Sequence, residues 1–216
     1  MLALWRTTVG KKIVMAVTGV IMIAFLIGHL LGNLLVFQGA AALDAYAAFL
    51  KRELVPLWIV RSILLVAVVL HALAAAQLAI LDRAARRKSY ARVVPQAATF
   101  ASRTMRWGGV LIAVFVVFHL LHLTSGTLRP APFDETQVYA NVVGGFRIWW
   151  VTAIYVAAMT AIGAHLFHGG WSWLRTLGLS RPSAHPLRRP IAAALAFLLW
   201  AGFISIPLAI FFGLVS

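Results

Sequence analysis

IVMAVTGVIMIAFLIGHLLGNLLVF, residues 13–37, contains no Lys, Arg, Asp or Glu and a single histidine, His29. A helix rises about 1.5 Å per residue, so about 20 apolar residues cross the hydrocarbon core of a bilayer. The stretch reads as a membrane-spanning helix. A histidine inside hydrocarbon is costly unless it meets a partner, so His29 marks a candidate site.

Four further runs of the same kind follow. The five spans are predicted near 12–38, 57–82, 106–126, 147–174 and 190–214. The 216-residue chain is 62% hydrophobic, with a mean hydropathy of +0.93. The connections are short, so the sequence predicts an all-α membrane protein forming one domain over 1–216. The first run follows Lys11 and Lys12 but is too long for a signal-peptide core, so an uncleaved first helix is expected. Rings at Trp58, Trp149–Trp150, Trp107, Trp171 and Trp173 fall where spans meet the headgroups.

The net charge is +14, which invites a nucleic-acid reading, but its placement points to topology. Fourteen of the 19 Lys and Arg fall on one side of the five-span arrangement: Arg6, Lys11, Lys12, the set from Arg83 to Arg106, and Arg175, Arg181, Arg188 and Arg189. Positive residues concentrate on the cytoplasmic side. The expected location is therefore the cell's inner (plasma) membrane, with the N-terminus cytoplasmic and the C-terminus outside. A basic inner face also suits docking of a soluble partner. Without cysteine, the chain cannot attach a c-type haem or hold a cysteine-ligated iron–sulfur cluster.

Three other spans also carry buried-depth histidines: His71, His119 and His165. Counted from the innermost charged residue of each helix, His29 lies about 25 Å from the inner surface, His119 about 20 Å, His71 about 17 Å and His165 about 15 Å. These depths pair His71 with His165 and, further out, His29 with His119. Each pair joins alternate helices, which face each other diagonally in an up-down bundle. Two such pairs suit two b-type haems, each flat ring taking one axial imidazole from each side. His122 follows His119 by three residues and matches the depth of His29 about as well. His168 follows His165 by three and stands nearer the inner headgroups, where it could meet a haem propionate or water. Bare-metal chemistry in the core is disfavoured, because the five acids, Asp44, Glu53, Asp82, Asp134 and Glu135, lie at span ends or in loops. Gly19 and Gly109 each precede a histidine by ten residues, which is about 15 Å of helix, and a missing side chain there could make room for a macrocycle or simply bring helices close. The fifth span has no histidine and is expected at the periphery.

Several segments together resemble the cytochrome b membrane-anchor subunit of succinate dehydrogenase and fumarate reductase, in its di-haem, five-helix form. They are Thr18-Gly19 with Gly28-His29-Leu30, Val69-Leu70-His71-Ala72, Arg106 with Gly109 and Phe118-His119, and His165-Leu-Phe-His-Gly169-Gly-Trp171-Ser172. The resemblance covers almost the whole chain. It implies His29, His71, His119 and His165 as haem ligands, selecting His119 over His122 and His165 over His168. It implies two haem b groups, menaquinone as the quinone, and a flavoprotein and an iron–sulfur subunit docked on the cytoplasmic face. Electrons would pass from succinate through those subunits to the haems and on to quinone. Some fumarate reductases of this type carry a glutamate just before the fourth-helix ligand. Here those positions are Gly163 and Ala164, so that proton route is not expected. Glu53, at the outer end of the second span, is the candidate for proton exchange with quinone. Rival expectations are a di-haem anchor of another respiratory enzyme, such as a nitrate reductase or hydrogenase type, and a haem-free transporter or proton channel lined by histidines.

Overall fold

The computed structural model describes residues 5–85, 100–176 and 187–216. Among them there are helices and no strands. α1 spans Thr8–Asn33 and runs on through a 3-10 turn, Leu34–Gln38; α2 spans Ala40–Arg52 and α3 Leu54–Ala84. α4 spans Phe100–His119 and continues as a π-helical turn, Leu120–Thr124. α5 spans Val138–Phe146, α6 Trp149–Thr176 and α7 Arg188–Phe211. The two basic connections, between the second and third spans and between the fourth and fifth, fall largely outside the described residues.

Among the described residues, five stretches are long and apolar enough to cross a membrane: Thr8–Gln38, Leu54–Ala84, Thr104–Thr124, Trp149–Trp173 and Arg189–Phe211. Their limits agree with the sequence expectation to within a few residues. Large apolar side chains such as Leu65, Val66, Val114, Phe197 and Leu198 point outward, exposed. Such a surface suits lipid and would be untenable in water. The protein is a multi-pass, all-α membrane protein.

Local sequence explains the joints. The Thr7 hydroxyl accepts the Gly10 amide at 2.9 Å and caps α1, satisfying one of the donors that a helix start leaves open. The chain turns from the 3-10 segment into α2 at Gly39, whose φ of +93° strains any residue with a Cβ. α5 begins where the Asp44 carboxylate accepts the Tyr139 amide at 2.8 Å. Asn141 exchanges hydrogen bonds with the Asp134 backbone, and Lys51 donates to the Glu135 carbonyl. The Thr136 hydroxyl and amide both reach the Asp134 carboxylate and hold its pKa below the usual range. α2 and α5 thus form a tied cap at the end of the bundle away from Lys11, Arg83 and Arg106. Residues 127–146 connect the third and fourth predicted spans, and their second half folds as α5.

Packing between the spans is uneven. α6 and α7 lie along each other most extensively, α1 packs along α3, and α4 packs along α6. α1 touches α6 and α7 over a short stretch, while no comparable packing joins α3 to α6 or α1 to α4. The main core lies beneath the cap, with Val36, Leu43, Phe115, Val142, Phe146, Val151, Ile206 and Ile210 at its centre. A smaller cluster joins Leu30, Leu166, Ala196 and Leu199. The fifth span, expected at the periphery, instead supplies part of both cores. Small residues explain why: Ala192 and Ala196 are buried, and Gly170 lies so close to Ala192 that an added Cβ would come within 3.2 Å of it. Close backbone approach of this kind is how helices associate where lipid removes the hydrophobic drive.

Candidate functional site

The four deep histidines come together as two pairs. His29 on α1 faces His119 on α4, ring centroids 5.9 Å apart and planes at 88°. His71 on α3 faces His165 on α6, centroids 6.1 Å apart and planes at 55°. No hydrogen bond joins the two rings of either pair. Neither α1 and α4 nor α3 and α6 pack along each other, so each imidazole reaches a helix that its own helix does not lie against.

Residues nearby orient the rings. The Thr18 hydroxyl donates to the Val14 carbonyl at 2.7 Å, a bond typical of a hydroxyl on a helix. Its single hydrogen is thereby used, so at the 3.2 Å contact with His71 Nδ1 the oxygen accepts and the imidazole donates. That tautomer leaves the lone pair of His71 on Nε2. Gly19, next in sequence, faces the same ring; an added Cβ would stand 3.6 Å from His71 Cε1. Gly109 faces open space, with no atom within 4 Å of an added Cβ. His165 Nδ1 is buried without a hydrogen-bond partner, and so is His168 Nδ1. Buried polar atoms are almost always paired in folded proteins, and each orphan points to a role beyond packing. On α1, the Asn33 amide donates to the His29 carbonyl at 2.7 Å and comes within 3.4 Å of both ring nitrogens.

His122 and His168 are not drawn into the pairs. His168 packs edge-on against Trp171, centroids 5.5 Å apart. His122 is 3% exposed and stacks on Phe118. In an α-helix three residues turn through about 300°, which would leave His122 close to the face of His119. The π turn that begins at Leu120, marked by the Ser125 amide on the Leu120 carbonyl at 2.9 Å, advances less per residue and swings His122 farther round. Glu53 is exposed at the joint between α2 and α3 and makes no side-chain cap. It adjoins an apolar surface groove lined by Leu54, Val55, Trp58, Ile59, Ser62 and Ile63.

The sequence reading overlooks Tyr155. Its hydroxyl lies 3.2 Å from His119 Nδ1 and 3.0 Å from His122 Nδ1. A tyrosine in a span reads most simply as packing. Yet Tyr155 precedes His165 by ten residues, the spacing that separates Gly19 from His29, and that spacing sets it at the level of the other pair.

The facing imidazoles would suit two haem irons, each held by one pair. With a metal–imidazole bond of about 2.0 Å and about 1.1 Å from ring nitrogen to ring centre, two axial imidazoles stand about 6 Å apart. Both observed separations match. Among the described residues no three His, Cys, Asp or Glu side chains gather as a site for a free metal ion. Comparison of the chain with protein-family models, curated proteins and solved structures finds no match.

Proposed function

We propose that this chain is the di-haem cytochrome b anchor of a succinate:quinone oxidoreductase, carrying electrons between an iron–sulfur subunit and a membrane quinone of the menaquinone class. One observation supports the reading: two imidazole pairs, with ring centroids 5.9 and 6.1 Å apart, each bridge two helices that do not otherwise pack along each other. Chance helix-to-helix contact would place histidines in packed seams rather than opposite each other on helices that do not pack together.

His71 and His165 would hold the haem nearer the basic end, and His29 and His119 the other. Bound there, two haems supply one-electron redox chemistry at two depths. The chain's own contribution is orientation and exclusion of water. Thr18 keeps the proton of His71 on Nδ1 so that Nε2 can ligate, and neighbouring hydrogen bonds of this kind govern ligand basicity. Apolar spans around the pairs keep dielectric low and so tune potential. The basic end faces the cytoplasm in this reading, where the flavoprotein and iron–sulfur subunits dock. Glu53, exposed at the opposite end beside the apolar groove, serves proton exchange with quinone.

A pyridine haemochrome assay on the purified chain tests the cofactor. Two b haems per chain support the proposal; a colourless protein refutes it and favours a transporter or channel. Co-purification with a flavoprotein active on succinate separates this assembly from a di-haem anchor of another respiratory enzyme.

A further inference from the structure

Tyr155 is 5% exposed, and its ring is wedged between Phe115 and Phe146, with centroids 5.0 Å and 4.7 Å away. The phenol oxygen is thus held between two imidazole nitrogens, His119 Nδ1 and His122 Nδ1. A phenol has one hydrogen, so it can donate to one of the two and must accept from the other. His119 decides the direction. As an axial ligand through Nε2, it carries its proton on Nδ1 and donates to the Tyr155 oxygen. The Tyr155 O–H then turns toward His122 Nδ1, and the proton of His122 sits on Nε2.

The position of His122 is built rather than incidental. A Cβ on Gly145 would stand 2.9 Å from His122 Cε1 and Nε2, closer than packed atoms approach, so glycine at 145 is what admits the ring. The π turn swings His122 to the same oxygen that His119 reaches. His122 also lines a cavity of ≈ 10 Å³ with Arg129, Asn141 and Gly145, room for about one water molecule beside the imidazole.

We infer that Tyr155 is a positioning residue for the His29–His119 site: it fixes the tautomer and ring angle of His119, and His122 holds the Tyr155 hydroxyl in place by accepting its hydrogen. The inference rests on the haem reading above. It gives His122 a role that neither ligation nor packing supplies. A ligand imidazole that donates to an acceptor gains basicity, and this lowers the potential of the iron it holds.

The test is a potentiometric titration of the purified two-haem protein, followed by optical and electron paramagnetic resonance spectra that resolve the two haems. Tyr155→Phe is expected to keep both haems, raise the midpoint potential of the haem held by His29 and His119, and leave the other unmoved. His122→Phe is expected to shift the same haem in the same direction, because a phenol whose O–H has lost its acceptor is a weaker acceptor for His119. The double variant is expected to shift it no further than Tyr155→Phe alone, since residues acting through one another are non-additive. If Tyr155→Phe costs a haem, His122→Phe carries the test with the phenol in place. Unmoved potentials in a two-haem His122→Phe protein, or additive shifts in the double variant, overturn the inference. A colourless wild-type protein would instead defeat the proposed function.

Discussion

Thr18→Val removes one hydrogen-bond acceptor and changes almost no volume. Thr18 is 5% exposed, and its oxygen meets His71 Nδ1 at 3.2 Å. In the variant the His71 N–H faces a methyl group inside a dry bundle. Leaving a buried donor unpaired costs about 1–3 kcal/mol. The imidazole can escape that cost by moving its proton to Nε2, but then the ligating lone pair is lost. Either way the penalty falls on haem binding at the His71–His165 pair. At about 1.4 kcal/mol per factor of ten, the range corresponds to a loss in affinity of roughly 5- to 150-fold, in line with the 10- to 100-fold typical of such supporting bonds. The assay is titration of the haem-depleted protein with haemin, with occupancy of each site read from its optical band. The His29–His119 site serves as the internal control. Thr18→Ser, which keeps the oxygen, should bind within a few-fold of wild type. Wild-type affinity in Thr18→Val would refute the assignment of His71 Nδ1–H as a donor to Thr18, and with it the tautomer assigned to this ligand.

Replacement of His29 or His119 by Ala should remove one haem and that of His71 or His165 the other, with the remaining haem retained in each case. Haem counted per chain checks this, and loss of both from any single variant would contradict two independent pairs. Glu53→Gln should abolish turnover with quinone while both haems remain, measured as succinate-driven quinone reduction in the intact complex; unchanged turnover removes Glu53 from the proton route. Gly145→Ala places a Cβ 2.9 Å from the His122 ring, and overpacking of this sort costs about 1–3 kcal/mol. A lower thermal midpoint, together with a potential shift like that of His122→Phe, is the expected result.

The spans and the four histidines are legible because both depend on short-range facts. Hydropathy sets the length of a span, and a constant rise per residue converts position into depth. That is enough to pair His71 with His165 and His29 with His119. It is not enough to place His122. That residue is carried by a π turn, and LLHLT contains nothing that distinguishes π from α geometry. α5 is hidden for a related reason. Nine residues with Gly144 and Gly145 make a poor helix alone. The helix stands because Asp44, from another element, caps its first turn. Likewise the fifth span carries no ionisable side chain within hydrocarbon and so gives no sign of its place. Its alanines, set against the backbone of α6, bring it into the core.

The uneven seams have a consequence for assembly. α3 leans on the rest of the molecule chiefly through α1 and α2. Parting this leaf from α6 would open the mid-bilayer His71–His165 level from the side, without unwinding a helix or lifting the cap. If the pair holds a haem as proposed, that flat, apolar ring has a lateral way in from lipid between α3 and α6. Once seated, it would clasp the leaf shut, so that maturation of the chain and closure of its weakest seam become one event.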